Sequence, residues 1–418
     1  MIAILTDFIN YDPAYSLCRI VRDQCKMLQR AGCRFRMIAR EGYHGKPGDY
    51  PGAEIVTANP GKTGDNQVHL TPEVPQELET LTADLERALE GVTVVLAHDL
   101  IYQPNCFKWH IAARRIARER PDIKWIQWVH SSTDLGISKQ VGPYVGELQG
   151  PFPNSLLVAF HREEVNRKGA LFGYEQDRIV IIPNPVDFLE DAHPLTQRIA
   201  DEFGLMRADV IAVYPCRLDR GKQPHVVAEI FEQLRAMDYD ARVVVCDFHS
   251  TDGDKVKYRA EMMQKYAEFV HFTSQLDGET DGIGHNYLIP HRVVMELLEL
   301  GDVLVHPSVS EADSLVLAEA MWKRCGLVLN FDLPRFREFD GQAVFGKFSS
   351  YIDVNTGMPG GTQTSYGNRA EYMRALAGAV AYQMTNNPTL ALHARMRKER
   401  SLYGAWRPLW AAIESQTS

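Results

Sequence analysis

No apolar run in the 418 residues approaches the roughly 18 needed to cross a bilayer, which predicts a chain without a membrane-spanning helix. Positive charge is not in excess: 45 Lys+Arg stand against 54 Asp+Glu, a formal net charge of −9. That argues against a general basic footprint for nucleic acid or anionic lipid, while leaving room for a local basic groove. Cysteine is sparse and unpatterned. Its seven occurrences, at 18, 25, 33, 106, 216, 246 and 325, form no C-x-x-C pair. A disulfide framework is therefore not expected. Several lie in apolar runs, as in Val243-Val-Val-Cys246, and read as buried free thiols of a reducing compartment. Met1–Thr6 carries no basic leader. These features together predict a cytoplasmic protein. Also missing are G-x-S-x-G, H-E-x-x-H and a P-loop Gly-Lys-Ser. No metal set stands out, because the carboxylates of Asp252-Gly-Asp254 fall in a polar turn before a helix.

Hydrophobic residues make up 45% of the chain, enough for substantial cores, and the length suits two or three domains. Short apolar runs alternate with longer amphipathic stretches. Strands are expected at Ile2–Leu5, Arg34–Ala39, Val92–Ala97, Lys124–Val129, Leu156–Phe160 and Arg178–Ile182. Helical periodicity lies between them, near 14–30, 77–90 and 107–118. The rhythm pauses after Pro183-Asn-Pro-Val-Asp187 and restarts at Val210–Tyr214. Further strands are expected at Ala241–Phe248, Phe269–Phe272, Asp302–His306, Gly326–Asn330 and Ala343–Phe345, again with intervening helices. Such alternation gives parallel sheets covered by helices, here in two α/β domains facing each other across a cleft. Ligands of such sheets bind beyond the carboxyl ends of the strands. The polar, glycine-rich stretch 349–368 is unusually long for a loop.

Two constellations carry chemistry. The first is Tyr214-Pro-Cys-Arg217-Leu-Asp-Arg220-Gly-Lys222, where cations and a glycine follow a strand. Arg offers a planar fork to phosphate oxygens and Lys a point charge. A solvated basic turn is the bland alternative. The second is His306-Pro-Ser308 followed by Glu311-Ala-Asp313-Ser314-Leu315 and, one or two turns into a helix, Glu319. Ser314 and Leu315 fall where free helix N–H groups can hold a diphosphate. Ionised carboxylates suit sugar and ribose hydroxyls. Two histidines, His98 and His130, end strands of the first domain, whereas His306 sits within an apolar strand and reads as core.

Together these residues resemble the retaining GT-B glycosyltransferases of glycosyltransferase family 4. Glu311 and Glu319, with seven residues between them, match that family's paired-Glu motif. Cys216-Arg-Leu-Asp-Arg-Gly-Lys222 matches its basic pair, and Pro183–Asp187 its Pro-Asn-Gly-Val-Asp segment. The resemblance covers most of the second domain and, through element order, loosely the first. It implies two Rossmann-like domains: an acceptor-side domain 1–187, a connector 188–208, a nucleotide-sugar domain 209–400, and a helix 401–418 crossing back to the first domain. It further implies transfer of a hexose from a nucleotide diphosphate donor, UDP-linked by preference, to an acceptor hydroxyl with retention. No cofactor or metal is implied beyond the donor. Arg217 and Lys222 are expected to stabilise the leaving diphosphate, Glu311 to hold sugar hydroxyls and His130 to meet the sugar or orient the acceptor. Asp313, Ser314, Leu315 and Glu319 form the expected donor-binding set, Glu319 on the ribose. The loop around His285, Tyr287 and His291 is expected to meet the base through its backbone.

There are departures. Ala312 and Ser314 stand where the family has glycines, Asp313 where it has an aromatic, and the loop Phe8–Ser16 lacks its glycine pair. Two other readings therefore stay open. One is a glycosyltransferase acting on a modified nucleobase in DNA, whose sign would be a basic stripe of Lys108, Arg114, Arg115 and Arg118. The other is a non-catalytic nucleotide-binding relative. The sequence does not specify the acceptor or the oligomeric state.

Overall fold

The structure is a computed structural model and describes residues 1–62, 68–130, 141–247, 253–276, 289–348 and 369–415. The chain forms two compact units. The first is Met1–Asp187 together with the chain from Glu399 onward; the second is Phe188–Lys398.

The first unit contains seven parallel strands: β1 (Ile2–Leu5), β2 (Phe35–Arg40), β3 (Glu54–Ala58), β4 (Val94–His98), β5 (Lys124–Trp128), β6 (Ser155–Ala159) and β7 (Ile179–Ile181). Their order is β3-β2-β1-β4-β5-β6-β7. Of the inner strands, β1, β4 and β6 are buried at every residue, as continuous apolar runs covered on both faces require. β3, at the edge, was not expected from sequence. Its Glu54-Ile-Val-Thr-Ala58 is mostly exposed and lacks the long apolar signal of a central strand. Helices Ser16–Arg30, Val74–Ala88, Phe107–Glu119 and Val165–Phe172 lie between the strands.

The second unit repeats the pattern with β8 (Val210–Pro215), β9 (Ala241–Cys246), β10 (Val270–Phe272), β11 (Val303–His306), β12 (Gly326–Asn330) and β13 (Val344–Gly346). The order is β10-β9-β8-β11-β12-β13, all parallel. Counted from the first strand of each unit, the second sheet runs 3-2-1-4-5-6, the doubly wound Rossmann order, and the first runs the same with a seventh strand added beyond the sixth. The order reverses between β1 and β4 in the first unit and between β8 and β11 in the second. The crevice at such a reversal is where these sheets place ligands.

Residues 188–208 are more than a connector. Helix Pro194–Glu202 places Leu195, Ile199 and Ala200 in the second unit's core, joined by Phe203 and Leu205. Apolar residues at helical spacing bury themselves on the nearest core, so the stretch belongs to that unit. At the other end, helix Leu402–Glu414 packs into the first unit's core through Leu402, Ala405, Leu409 and Ala412, beside Leu17, Val21 and Leu28. Ser401 caps it, accepting from Gly404 N–H at 3.1 Å. The Lys124 ammonium donates to the Ala412 and Ile413 carbonyls at 3.2 and 3.1 Å, closing its C-terminal end. Among the described residues, no helix is long and apolar enough to cross a membrane. All seven cysteines are free.

Candidate active site

In the second unit, the turn after β8 and the loop after β11 meet at the order reversal. Arg220–Lys222 forms one 3-10 turn, and Gln223 follows with φ of +52°, redirecting the chain into helix Pro224–Arg235. Pro224 opens that helix where no N–H is needed. The turn is anchored at three points. The Tyr214 hydroxyl donates to the Lys222 carbonyl at 2.7 Å, and Gln223 Nε2 donates to the Pro307 carbonyl at 2.8 Å. Val309 N–H donates to the Gly221 carbonyl at 2.9 Å. A Cβ on Gly221 would lie 3.3 Å from the Val309 side chain, so glycine lets the two segments approach this closely.

This anchoring brings the expected Lys222 and Glu311 together. Lys222 Nζ is ion-paired with Glu311 Oε1, and both side chains are largely buried. His306 stands behind them, its Nε2 3.7 Å from Glu311 Oε1 and 2.9 Å from Ser314 Oγ. It is buried, as a core residue should be, yet it touches both loop groups. Burial holds its pKa down at about 4, against the Glu311 carboxylate, which raises it. Ser314 is the N-cap of helix Leu315–Trp322; its hydroxyl oxygen accepts from Leu317 N–H at 3.3 Å. The Ser314 side chain is thus occupied by the fold, and what the helix start offers a ligand is backbone N–H.

Glu319 lies one turn further on. Its Oε1 is 2.8 Å from His291 Nε2, and both residues line a cavity of about 290 Å³ with Cys216, Arg217, Asp247 and Ile289. Arg217 is mostly exposed and forms a 3.3 Å ion pair with Asp219. Two expected donor-side residues sit differently. Asp313 is exposed and ion-paired with Arg335 at 3.3 Å, and the Leu315 side chain is 75% exposed. Sequence reasoning missed Asp247, which follows β9 and lines the same cavity. It accepts from Ser274 N–H at 3.0 Å and Ser274 Oγ at 2.7 Å. Burial raises its pKa against those bonds. Its position just past the Val243-Val-Val-Cys246 run was the available signal.

In the first unit, β1 and β4 flank the reversal. Asp7, after β1, pairs with Arg40 and accepts from Trp109 Nε1 at 2.8 Å. His130, after β5, donates its backbone N–H to Asp99 Oδ1 at 2.8 Å. Asp99 has φ of +58°, uncommon for a residue with a side chain. Its pKa is pushed up to about 6 by burial, against the hydrogen bond from His130. The rings of His98 and His130 stack, with His98 Nδ1 3.2 Å from His130 Nε2. His98 Nε2 is 2.8 Å from Gln24 Oε1. With the Gln24 amide in this orientation, His98 carries its proton on Nε2 and accepts at Nδ1. His130 then donates from Nε2 and keeps Nδ1 as an acceptor. Burial first, and the Lys168 ammonium second, depress the His130 pKa to about 3, so the neutral ring is favoured.

The basic stripe suggested on helix Phe107–Glu119 does not exist as a surface. Lys108 and Arg114 are buried; Lys108 Nζ pairs with Glu77 at 2.7 Å. Arg115 pairs with Glu147 at 2.8 Å. The spacing reads as one face, but helix Val74–Ala88 and the segment near Glu147 take up Lys108, Arg114 and Arg115, and only Arg118 stays exposed. Among the described residues no group of three His, Cys, Asp or Glu side chains is placed to hold a metal ion. Asp252, His285, Tyr287 and the stretch 349–368 lie outside the described residues.

No family model matches the sequence, and no curated protein matches it. Solved structures similar to the chain include Anabaena Alr3699/HepE in complex with UDP, at 15% identity and TM-score 0.35, covering 99% of this chain and 100% of that one. A glycosyltransferase from Rickettsia africae is 12% identical at TM-score 0.36, covering 99% and 97%. WaaG, a glycosyltransferase involved in lipopolysaccharide biosynthesis, is 14% identical at TM-score 0.32, covering both chains fully. At such identities and TM-scores these likenesses carry no weight for the chain's activity.

Proposed function

We propose that the protein is a retaining glycosyltransferase resembling family 4, moving a hexose from a nucleotide diphosphate donor, UDP-linked by preference, to an acceptor hydroxyl. The observation that carries this reading is the meeting of Lys222, Glu311 and the start of helix Leu315–Trp322 at the reversal between β8 and β11. A cation, a carboxylate and free helix N–H groups at one crevice suit a diphosphate joined to a polyol.

Lys222 and Arg217 stabilise negative charge as the diphosphate departs. Backbone N–H groups at Ser314–Leu315 hold its oxygens. Glu311 accepts from sugar hydroxyls, and Glu319, beside the cavity, accepts from the ribose. The donor's own phosphate oxygen takes the acceptor proton, a front-face course that the resemblance implies. His130 is assigned to a sugar or acceptor hydroxyl, for which a neutral ring with a free Nδ1 is suited. No metal takes part in this scheme, since Arg, Lys and helix N–H groups neutralise the leaving group.

The test is a thermal-shift series with UDP, GDP and ADP, together with a search for slow UDP release from UDP-sugars. UDP should stabilise the protein most, by mass action on the folded state, and the Lys222→Ala variant should lose that stabilisation. Stabilisation by none of the three, with no UDP released, would overturn the proposal and leave a fold relative without this activity.

A further inference from the structure

Arg114, on helix Phe107–Glu119, is only 3% exposed. A buried guanidinium ordinarily faces a carboxylate, because desolvating a lone charge is costly. Here its hydrogen-bond acceptors are all neutral: His110 Nε2 at 3.0 Å and the carbonyls of Gln149 and Gly150. These use three of its five N–H groups. Burial lowers its pKa to about 10, so it remains charged at neutral pH.

His110 makes the imbalance sharper. Its Nε2 accepts from Arg114, so in the neutral ring the proton sits on Nδ1. Burial and the adjacent Arg114 charge keep the ring neutral. His110 Nδ1 is buried and has no partner, which leaves an unsatisfied N–H donor beside a cation that no carboxylate pairs and that rests only on the Phe152 ring face, 5.5 Å from its Cζ. Nearby charge does not correct this. Glu147 is taken by Arg115.

Both side chains line a pocket of about 350 Å³, walled also by Phe152, Leu171, Phe172 and Tyr174. That volume is at the lower end of small-molecule sites, roughly 300–1,000 Å³. It exceeds what a bare ion fills, and Phe152, Leu171 and Phe172 give it apolar wall. We propose that this pocket binds a small organic anion, with a phosphate or carboxylate group on Arg114 and His110 and an apolar or ring-shaped body against Phe152 and Leu171. Neither Arg114 nor His110 belongs to the candidate catalytic residues, so this is a second ligand site on the first unit.

Calorimetric titration of the intact protein with phenyl phosphate, benzoate, inorganic phosphate and benzyl alcohol tests it. Phenyl phosphate or benzoate should bind saturably, and which of the two binds tighter identifies the anionic group. Inorganic phosphate should bind more weakly and benzyl alcohol not at all. Arg114→Gln should weaken binding at least about tenfold, as for a lost charge-assisted hydrogen bond. Because Arg114 also holds the 149–150 carbonyls, Ala170→Trp is the second variant; it fills the mouth of the pocket and leaves Arg114 in place. It too should abolish binding. The proposal is overturned if neither organic anion saturates in the millimolar range, if inorganic phosphate binds as well as phenyl phosphate, or if binding survives Ala170→Trp.

Discussion

The Lys222 ammonium and the Glu311 carboxylate, 89 residues apart in the chain, form an ion pair where the exits of β8 and β11 meet. A cation held this way is preorganised, since its partner fixes its position before any diphosphate arrives. Lys222→Ala should therefore lower turnover by about a hundredfold or more at saturating donor, the scale expected for losing charge stabilisation in the transition state. Arg217→Lys should also reduce turnover, because an ammonium lacks the guanidinium fork. An unchanged rate for Lys222→Ala would take Lys222 out of the mechanism.

Glu319 and Glu311 separate by kinetic signature. A ribose contact is made equally in ground and transition states, so Glu319→Ala should raise the donor KM more than it lowers kcat. Glu311 lies against the group that changes charge, and Glu311→Ala should lower kcat itself. His291→Ala frees the Glu319 carboxylate from its 2.8 Å partner and should change KM alone. Steady-state kinetics with varied donor distinguishes these patterns, and the opposite assignment of effects would mean that the two roles are exchanged.

What could be read in the sequence followed physical signal strength. The buried strands announced themselves as β-branched runs, and β4 and β9 needed nothing else. The edge strand β3 did not, because a mostly exposed five-residue strand has no long apolar run, although Pro51-Gly52 and Asn59-Pro-Gly61 bracket it with turn signals. Motif spacing anticipated that Lys222 and Glu311 belong together, since each follows a strand and the doubly wound order sets those strands side by side. Spacing could not say that Ser314 spends its hydroxyl on Leu317 N–H, or that Asp313 turns to Arg335. Those outcomes depend on rotamers and neighbours outside the motif. Spacing could not say either that Arg114, unlike its exposed neighbour Arg118, turns inward to His110 and the carbonyls of Gln149 and Gly150.

Buried histidines make stability depend on pH. His130, His225, His271 and His306 have pKa values pushed down, chiefly by burial, to about 3, 4, 4 and 4, and His98 and His110 are depressed as well. An unfolded histidine titrates near 6.5, so below that pH the unfolded chain binds protons that the folded chain refuses. Stability contributed by the neutral rings is full above about 6.5 and is lost as pH falls towards about 3–4. Asp99, raised to about 6, works the other way between about 4 and 6, and Asp247, also raised by burial, acts in the same sense, but the two oppose six histidines. The melting temperature should fall steadily from pH 7 to pH 4, and His306→Gln should shallow that slope. A flat profile measured by calorimetry would contradict the burial of these rings.

Activity should persist in chelator. Arg217, Lys222 and the Ser314–Leu315 backbone supply the positive potential that a divalent ion would otherwise provide at a leaving diphosphate. Assays with excess EDTA should retain most of the rate. Complete loss, restored by Mn²⁺ or Mg²⁺, would assign the charge neutralisation to a metal instead.

Asp302 and Arg397 give the last prediction, on stability. Asp302 begins the approach to β11 and is fully buried; Arg397, on helix Pro388–Arg400, is 3% exposed. Two parallel bonds join them, from Arg397 Nη1 at 3.0 Å and Nη2 at 2.8 Å. Asp302 also accepts from Ile211 N–H at 2.9 Å, and Arg397 donates to the carbonyls of Leu300 and Ala208. One fork therefore ties helix Pro388–Arg400 to β8 and β11, the strands that carry the candidate site. Burial raises the Asp302 pKa, but the Arg397 charge, His393 and the Ile211 bond outweigh it and hold the group below the usual carboxylate range. Its stabilisation is then full above about pH 3.9 and is lost only as the solution becomes more acidic. At neutral pH, Arg397→Met strands a buried carboxylate and should cost about 3–5 kcal/mol. The double variant Arg397→Met/Asp302→Leu should regain part of that loss, because no charge is left buried, though Ile211 N–H loses its acceptor. Urea unfolding of the three proteins measures this directly. Equal loss in the single and double variants would mean that the packing of the helix, and not the charge pair, holds it to the central strands of the second unit.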